Sequence, residues 1–324
     1  GSGYNNIASG NVSFVGGGIF NAASSFISTV GGGYYNAASG YYSTVAGGGG
    51  IVQGNTASGN SSTIGGGRGN IASGNCSTVA GGLGLSAVSD NSFVGGGSYN
   101  TVSGNQSSIV GGSSNTASGT RSTVGGGTNN TASGNYSTVA GGGNNSGPYQ
   151  GNTACGTTSF IGGGVNNVAS GTRSSVVGGG GFYGNTASGN ESFVGGGTNN
   201  TASSNQSFVG SGYCNTACGS QSTVGGGNTN IAGGSSSTVG GGNTNIASGL
   251  FSTIAGGRGN TASNLYSTIG GGENNTASGY TSFIGGGYCN TASGYYASTV
   301  GGGSCNTASG FYSTVAGGLN NTAS

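Results

Sequence analysis

The sequence predicts an all-β fold: a parallel β-solenoid of the β-roll kind, with about 20 rungs of 15 residues and two short strands in each rung. Three observations carry this. Text of the form NTASGxxSTVGGGxx recurs along the whole chain, and its leading Asn falls at a modal spacing of 15, as at Asn100, Asn115 and Asn130. Each half of the repeat alternates small or apolar residues with variable ones, the two-residue period of a strand. Finally, 83 of the 324 residues are Gly, and they gather where each half-repeat must turn. That much Gly argues against helix, at about 1 kcal/mol per site relative to Ala.

Counting from the leading Asn, the first half reads NxAxG and the second SxVxGG. The tenth position is Val or Ile in every complete repeat, so it faces inward. This predicts a core ladder of Val15, Val30, Val45, Ile64, Val79, Val124, Val139, Ile161, Val224, Ile269, Val300 and Val315. The third position is Ala, except Val102, and faces it. Alternation then turns the leading Asn, the fifth Gly, the eighth Ser and the twelfth Gly inward as well. A buried Asn or Ser repeated on every rung can pass hydrogen bonds along a ladder. The second, fourth, ninth and eleventh positions face out.

The repeats read as one array over residues 1–324. The spacing lengthens at four places, and three of these insertions follow the Gly-rich end, near 50–54, 144–151 and 181–184. Insertions at one point of a repeat mark a surface turn. The fourth adds a residue near Ala297. The chain starts and stops inside a repeat, with no capping segment in sight. Solenoid ends without caps template β-pairing, so the expectation is either a piece of a longer repeat protein or head-to-tail stacking of copies.

Composition excludes many functions. There are four Arg, three carboxylates, and no Lys or His, so most acid–base and Schiff-base chemistry lacks its groups. No catalytic residue, cofactor site or metal site is expected, and the protein reads as non-enzymatic. Asp90, Glu191 and Glu273 lie on distant rungs, too far apart to flank one glycosidic bond. A formal net charge of +1 without a basic cluster argues against nucleic acid. No apolar run is long enough to insert in a membrane. The GGG runs lack the GK[ST] and strand-to-helix context of a phosphate loop. Calcium-binding nonapeptides need an Asp in each turn, and Asp90 is the only Asp.

Three features point to contacts. The outward ninth position is usually Thr but is Phe at Phe14, Phe93, Phe160, Phe193, Phe208 and Phe283, candidates for lateral contact with another chain. Aromatics also gather in the first turn, at Tyr41–Tyr42, Phe251, Tyr266, Tyr295–Tyr296 and Phe311–Tyr312, where they can stack rung on rung or meet carbohydrate. Of six Cys, Cys289 and Cys305 close successive repeats, which sets their Cα atoms about 5 Å apart and makes them a candidate disulfide.

The halves NxAxG and SxVxG resemble the β-roll repeats of trimeric autotransporter adhesin heads and related secreted fibre proteins. That resemblance implies a left-handed roll, lateral trimers, an extracellular or cell-surface location and adhesion. The half-repeats are also similar to those of grass-type antifreeze β-rolls, which implies an ice surface. Here the outward ladder Thr56/Ser58, Thr116/Ser118, Thr131/Ser133 and Thr276/Ser278 would serve, interrupted by Ile7, Ile71, Ile231 and Ile246. The expected function is a self-associating extracellular fibre or appendage whose partners are copies of itself. An adhesin-like binding module and an ice-binding solenoid are the alternatives.

Overall fold

In a computed structural model the chain is an all-β parallel solenoid of about 21 turns, with two strands per rung. Residues 2–143 and 151–324 are described. The insertion at 144–151 therefore falls, apart from Gly151, outside the described residues. Contacts divide the chain into two compact arrays, Gly1–Asn166 and Asn167–Ser324. Both are built from the same rung.

The rung that begins at Asn115 serves for all. Its strands are Thr116–Ala117 and Thr123–Val124. Each lies parallel and in register with the same residues one repeat away: Ala117 beside Ala132, and Val124 beside Val139. Thr116 N–H donates to Asn130 O at 2.8 Å and Thr123 N–H to Ser137 O at 2.9 Å. The strands are only two residues long because the turns claim the rest. In the first turn, Ser122 N–H donates to Gly119 O at 3.2 Å, and Arg121 takes a left-handed conformation, φ 57°. The seventh position does this on rung after rung with residues other than Gly, including β-branched Val12 and Ile27.

The core is two facing columns, Ala from one sheet and Val or Ile from the other. Every predicted core-ladder residue is buried. In the first array Ser2–Tyr4 also pairs in parallel with Gly17–Ile19.

Two Gly assignments need correction. The twelfth Gly does not face inward: a Cβ on Gly111 would meet nothing within 4 Å, and Ser211, at the same position, is exposed. The inward one is the thirteenth. Gly112 has φ +90°, and a Cβ there would lie 2.1 Å from Gly127 O and 2.7 Å from Asn115 Nδ2. Strict alternation assigns the wrong residue because the chain has already begun to turn. The fifth Gly is inward for closeness rather than for its φ: a Cβ on Gly119 would sit 2.1 Å from Gly134 O.

Beside the Ala and Val columns run two buried polar columns. The Asn column is a continuous amide ladder. Asn115 Nδ2 donates to Gly111 O at 3.1 Å, to Gly127 O at 2.9 Å and to Asn100 Oδ1 at 3.1 Å. Its own Oδ1 accepts Asn130 N–H at 2.9 Å. One amide thus ties three rungs together. Insertions leave the ladder intact, because Asn55 still reaches Gly47 O at 3.0 Å and Asn185 reaches Gly178 O at 3.0 Å. In the second array the bonds run unbroken from Asn185 N–H on Asn167 Oδ1 to Asn321 N–H on Asn306 Oδ1. In the first array Leu85 replaces the ladder Asn and is fully buried. Its backbone N–H donates to Asn70 Oδ1 at 2.9 Å, but its side chain offers Asn100 no acceptor.

The Ser column behaves otherwise, against expectation. Twelve of its buried hydroxyls have no hydrogen-bond partner among the described residues. Others bond inside their own turn, as Ser252 Oγ does to Gly249 O at 2.7 Å. Ser107 is an exception, reaching Gly119 O on the next rung at 2.8 Å.

Candidate functional site

With the inside committed to the ladders, anything the chain does to another molecule falls to the two outward faces and the turns. The second and fourth positions make one face, largely Thr and Ser. In the second array its Thr column is uninterrupted over Thr261, Thr276, Thr291, Thr307 and Thr322, all in register. Ile231 and Ile246 stand beside each other in the same column.

The ninth and eleventh positions make the other face. Five of the six candidate Phe are exposed on it, from 56% for Phe14 to 39% for Phe208, and Phe193 is half-buried. The structure does not gather all six. Phe193 and Phe208 stack at 5.2 Å with ring planes 5° apart, whereas Phe14, Phe93, Phe160 and Phe283 have Thr or Ser on neighbouring rungs.

Side-chain sizes compensate on part of this face, while seven rungs, Thr123 with Gly125 among them, pair Thr with Gly. Each of the six Phe is followed two residues on by Gly: Gly16, Gly95, Gly162, Gly195, Gly210 and Gly285. Where the eleventh position is Val, at Val110 and Val177, the ninth is Ser, at Ser108 and Ser175; where it is Ala, the ninth is Thr. The rings lie along the strand over these glycines: a Cβ on Gly95 would sit 3.3 Å from Phe93 Cε1, and one on Gly195 would sit 3.4 Å from Phe193 Cε1. On the Phe rungs a large side chain leans over an empty neighbour. This signal was present in the residue types but shows its meaning only once the ring direction is seen.

The first-turn aromatics do stack. Phe251 and Tyr266 are parallel at 5.1 Å, and Tyr296 and Tyr312 at 6.3 Å. The added residue near Ala297, in the rung of Asn290, is Tyr295. Tyr296 pairs with Tyr280, and Ala297 holds the left-handed turn position, φ 45°. Removing Tyr295 would restore a regular rung.

Cys289 and Cys305 occupy the left-handed last position of successive rungs, φ 57° and 54°, and are free thiols. The Cys305 thiol beside it holds the Cys289 thiol above the usual thiol range. Cys214 accepts a hydrogen bond from Asn199 Nδ2 at 3.1 Å and pushes the neighbouring Tyr213 phenol up. Cys155 and Cys218 are exposed on the Thr/Ser face, and Cys76 is exposed in a turn.

The carboxylates are engaged one at a time. Asp90 accepts Asn75 N–H at 2.8 Å. Glu273 faces Arg258 at 3.5 Å. Glu191 pairs with Arg173 and accepts Gln206 Nε2 at 2.9 Å, and those hydrogen bonds hold its carboxyl below the usual range. Arg121 spans its turn, donating to Gln106 Oε1 at 2.6 Å and Tyr136 Oη at 2.8 Å. Among the described residues no three His, Cys, Asp or Glu come together to hold a metal, and no helix is long and apolar enough to cross a membrane. No protein-family model matches the chain, and no curated protein matches it in sequence.

Proposed function

We propose that the chain is a non-enzymatic structural protein, a segment of an extracellular fibre or surface appendage that associates side by side with copies of itself. The observation that carries this reading is the size compensation on the Phe/Gly face. An uncharged β-face whose Phe rings lie along the strand over Gly suits sheet-on-sheet packing, in which two such faces approach to about 10 Å. A near-zero net charge removes the repulsion that keeps solenoids apart. The adhesin-head resemblance agrees with lateral association in trimers.

Light scattering and electron microscopy of purified protein at rising concentration test the reading. Lateral oligomers or filaments are expected for the natural sequence. The double substitution Phe193→Asp with Phe208→Asp should shift them strongly towards monomer. A strictly monomeric natural protein at high concentration would refute the proposal.

A second reading, ice binding, draws on the in-register Thr column from Thr261 to Thr322 with its flanking Ser263, Ser278, Ser293 and Ser309. Thermal hysteresis and ice shaping would support it, and their absence would remove it.

A further inference from the structure

The Phe/Gly face does not account for the rung of Asn290, where a single aromatic residue is added within the first turn. Around Tyr295 the first-turn edge opens into a cleft of about 310 Å³. Tyr280, Tyr295 and Tyr296 wall it, and Asn264, Ser278 and Ser293 supply its polar lining. Tyr295 stands out, 66% exposed, edge-on to Tyr296 at 4.7 Å. Two departures from the repeat shape the cleft: the added Tyr295, and Asn264 in place of the fifth-position Gly. Asn264 is braced there by its own bonds, Nδ2 to Ser278 O at 2.9 Å and Oδ1 from Leu265 N–H at 2.8 Å.

The chemistry of the lining is unusual for this surface. No charged side chain borders the cleft. The hydroxyls of Ser278, Ser293, Tyr280, Tyr295 and Tyr296 make no hydrogen bond to the described residues, so all five are available. The aromatic wall continues along the edge, from Tyr266 to Tyr280 at 6.3 Å and from Tyr280 to Tyr296 at 5.4 Å, on to Tyr312. Aromatic faces with polar tips beside free hydroxyls match a ligand with apolar C–H faces and a rim of hydroxyls. An anion would find no cation here, and a cation no carboxylate.

We infer that this cleft binds a neutral, pyranose-based glycan, with the exposed ring of Tyr295 as its stacking face and Tyr296, perpendicular to it, as the adjoining wall. The aromatic edge from Tyr266 to Tyr312 extends over four rungs, about 14 Å at strand spacing, so a polysaccharide segment fits it better than a single sugar. The inference stands independently of self-association, because it uses a turn edge and not the Phe/Gly face.

Affinity electrophoresis in gels holding a soluble neutral polysaccharide (mannan, dextran, glycogen or hydroxyethylcellulose) tests it, with dextran sulfate as the charged control. Retardation by at least one neutral polymer is expected. Deleting Tyr295 yields a regular rung that should fold, as circular dichroism would verify, and should weaken that binding about tenfold; Tyr296→Ala should do the same. Tyr136→Ala, on an aromatic turn elsewhere, should leave binding within about twofold. Retardation by none of the neutral polymers, by dextran sulfate alone, or undiminished after Tyr295 is deleted would overturn the inference.

Discussion

Asn230 and Ser237 belong to one rung, and both side chains are fully buried. Asn230 Nδ2 donates to Gly226 O at 2.9 Å, Gly242 O at 2.9 Å and Asn215 Oδ1 at 3.1 Å, and its Oδ1 accepts Asn245 N–H at 3.0 Å. The Ser237 hydroxyl has no partner. The difference is one of reach. Rungs repeat at about 4.8 Å, while a hydrogen bond needs donor and acceptor about 3 Å apart. A carboxamide carries donor and acceptor on separate branches, so its own width covers part of the gap. A hydroxyl puts both functions on one atom, and identical Ser rotamers on successive rungs stay too far apart to meet. The Asn edge is therefore cross-linked through its side chains, and the Ser edge is held by backbone bonds and small volume.

Glycine substitutions on the Asn edge should show the largest effect. Gly112→Ala places a methyl in a left-handed residue against the Asn115 amide and the Gly127 carbonyl, and should cost more than about 3 kcal/mol in denaturant unfolding. Gly111→Ala, one residue earlier, points into open space and should stay within about 0.5 kcal/mol. Equal costs would mean that the amide ladder does not confine this turn.

Leu85 gives a natural gap in the same ladder. Leu85→Asn restores an acceptor for Asn100 N–H and donors for the neighbouring Gly carbonyls, at the expense of apolar burial. The expected net is a gain of about 1 kcal/mol, read as a higher unfolding midpoint. A loss would show that Leu packing outweighs ladder continuity.

The smallest effect belongs to the Ser-edge turn. The Glu191 carboxyl titrates below its usual range because Gln206 and Arg173 bond its charged form. Its folded-state value is depressed, so any stabilisation is present above the unfolded value and disappears as pH falls through the lowered one. The pair is exposed and screened. NMR should show a low Glu191 midpoint, and Glu191→Gln should barely move the melting temperature at neutral pH.

Much of this architecture was legible in the residues. Val124 and Ala117 lie inward as their alternation requires, and Thr123 and Thr116 lie outward. Alternation failed where strands end. Past Val124 the chain turns, so parity no longer told Gly126 from Gly127. The equal treatment of Asn and Ser failed because residue type alone does not reveal reach across a fixed spacing. On the surface, alternation places Phe193 and Phe208 outward, but that their rings lie over Gly195 and Gly210 depends on ring direction. The Tyr295 cleft was hidden because an added residue in a turn can be assigned to any of several neighbours until backbone pairing, here Tyr280 with Tyr296, selects one.

The central claim is that the Asn column, and not the Ser column, holds the rungs together. The most direct measurement compares Asn230→Ala and Ser237→Ala in the same rung by guanidinium unfolding. A loss of about 3 kcal/mol or more is expected for the first, from several unmade buried bonds, and less than about 0.5 kcal/mol for the second. Similar losses for the two, or a larger loss at Ser237, would contradict it.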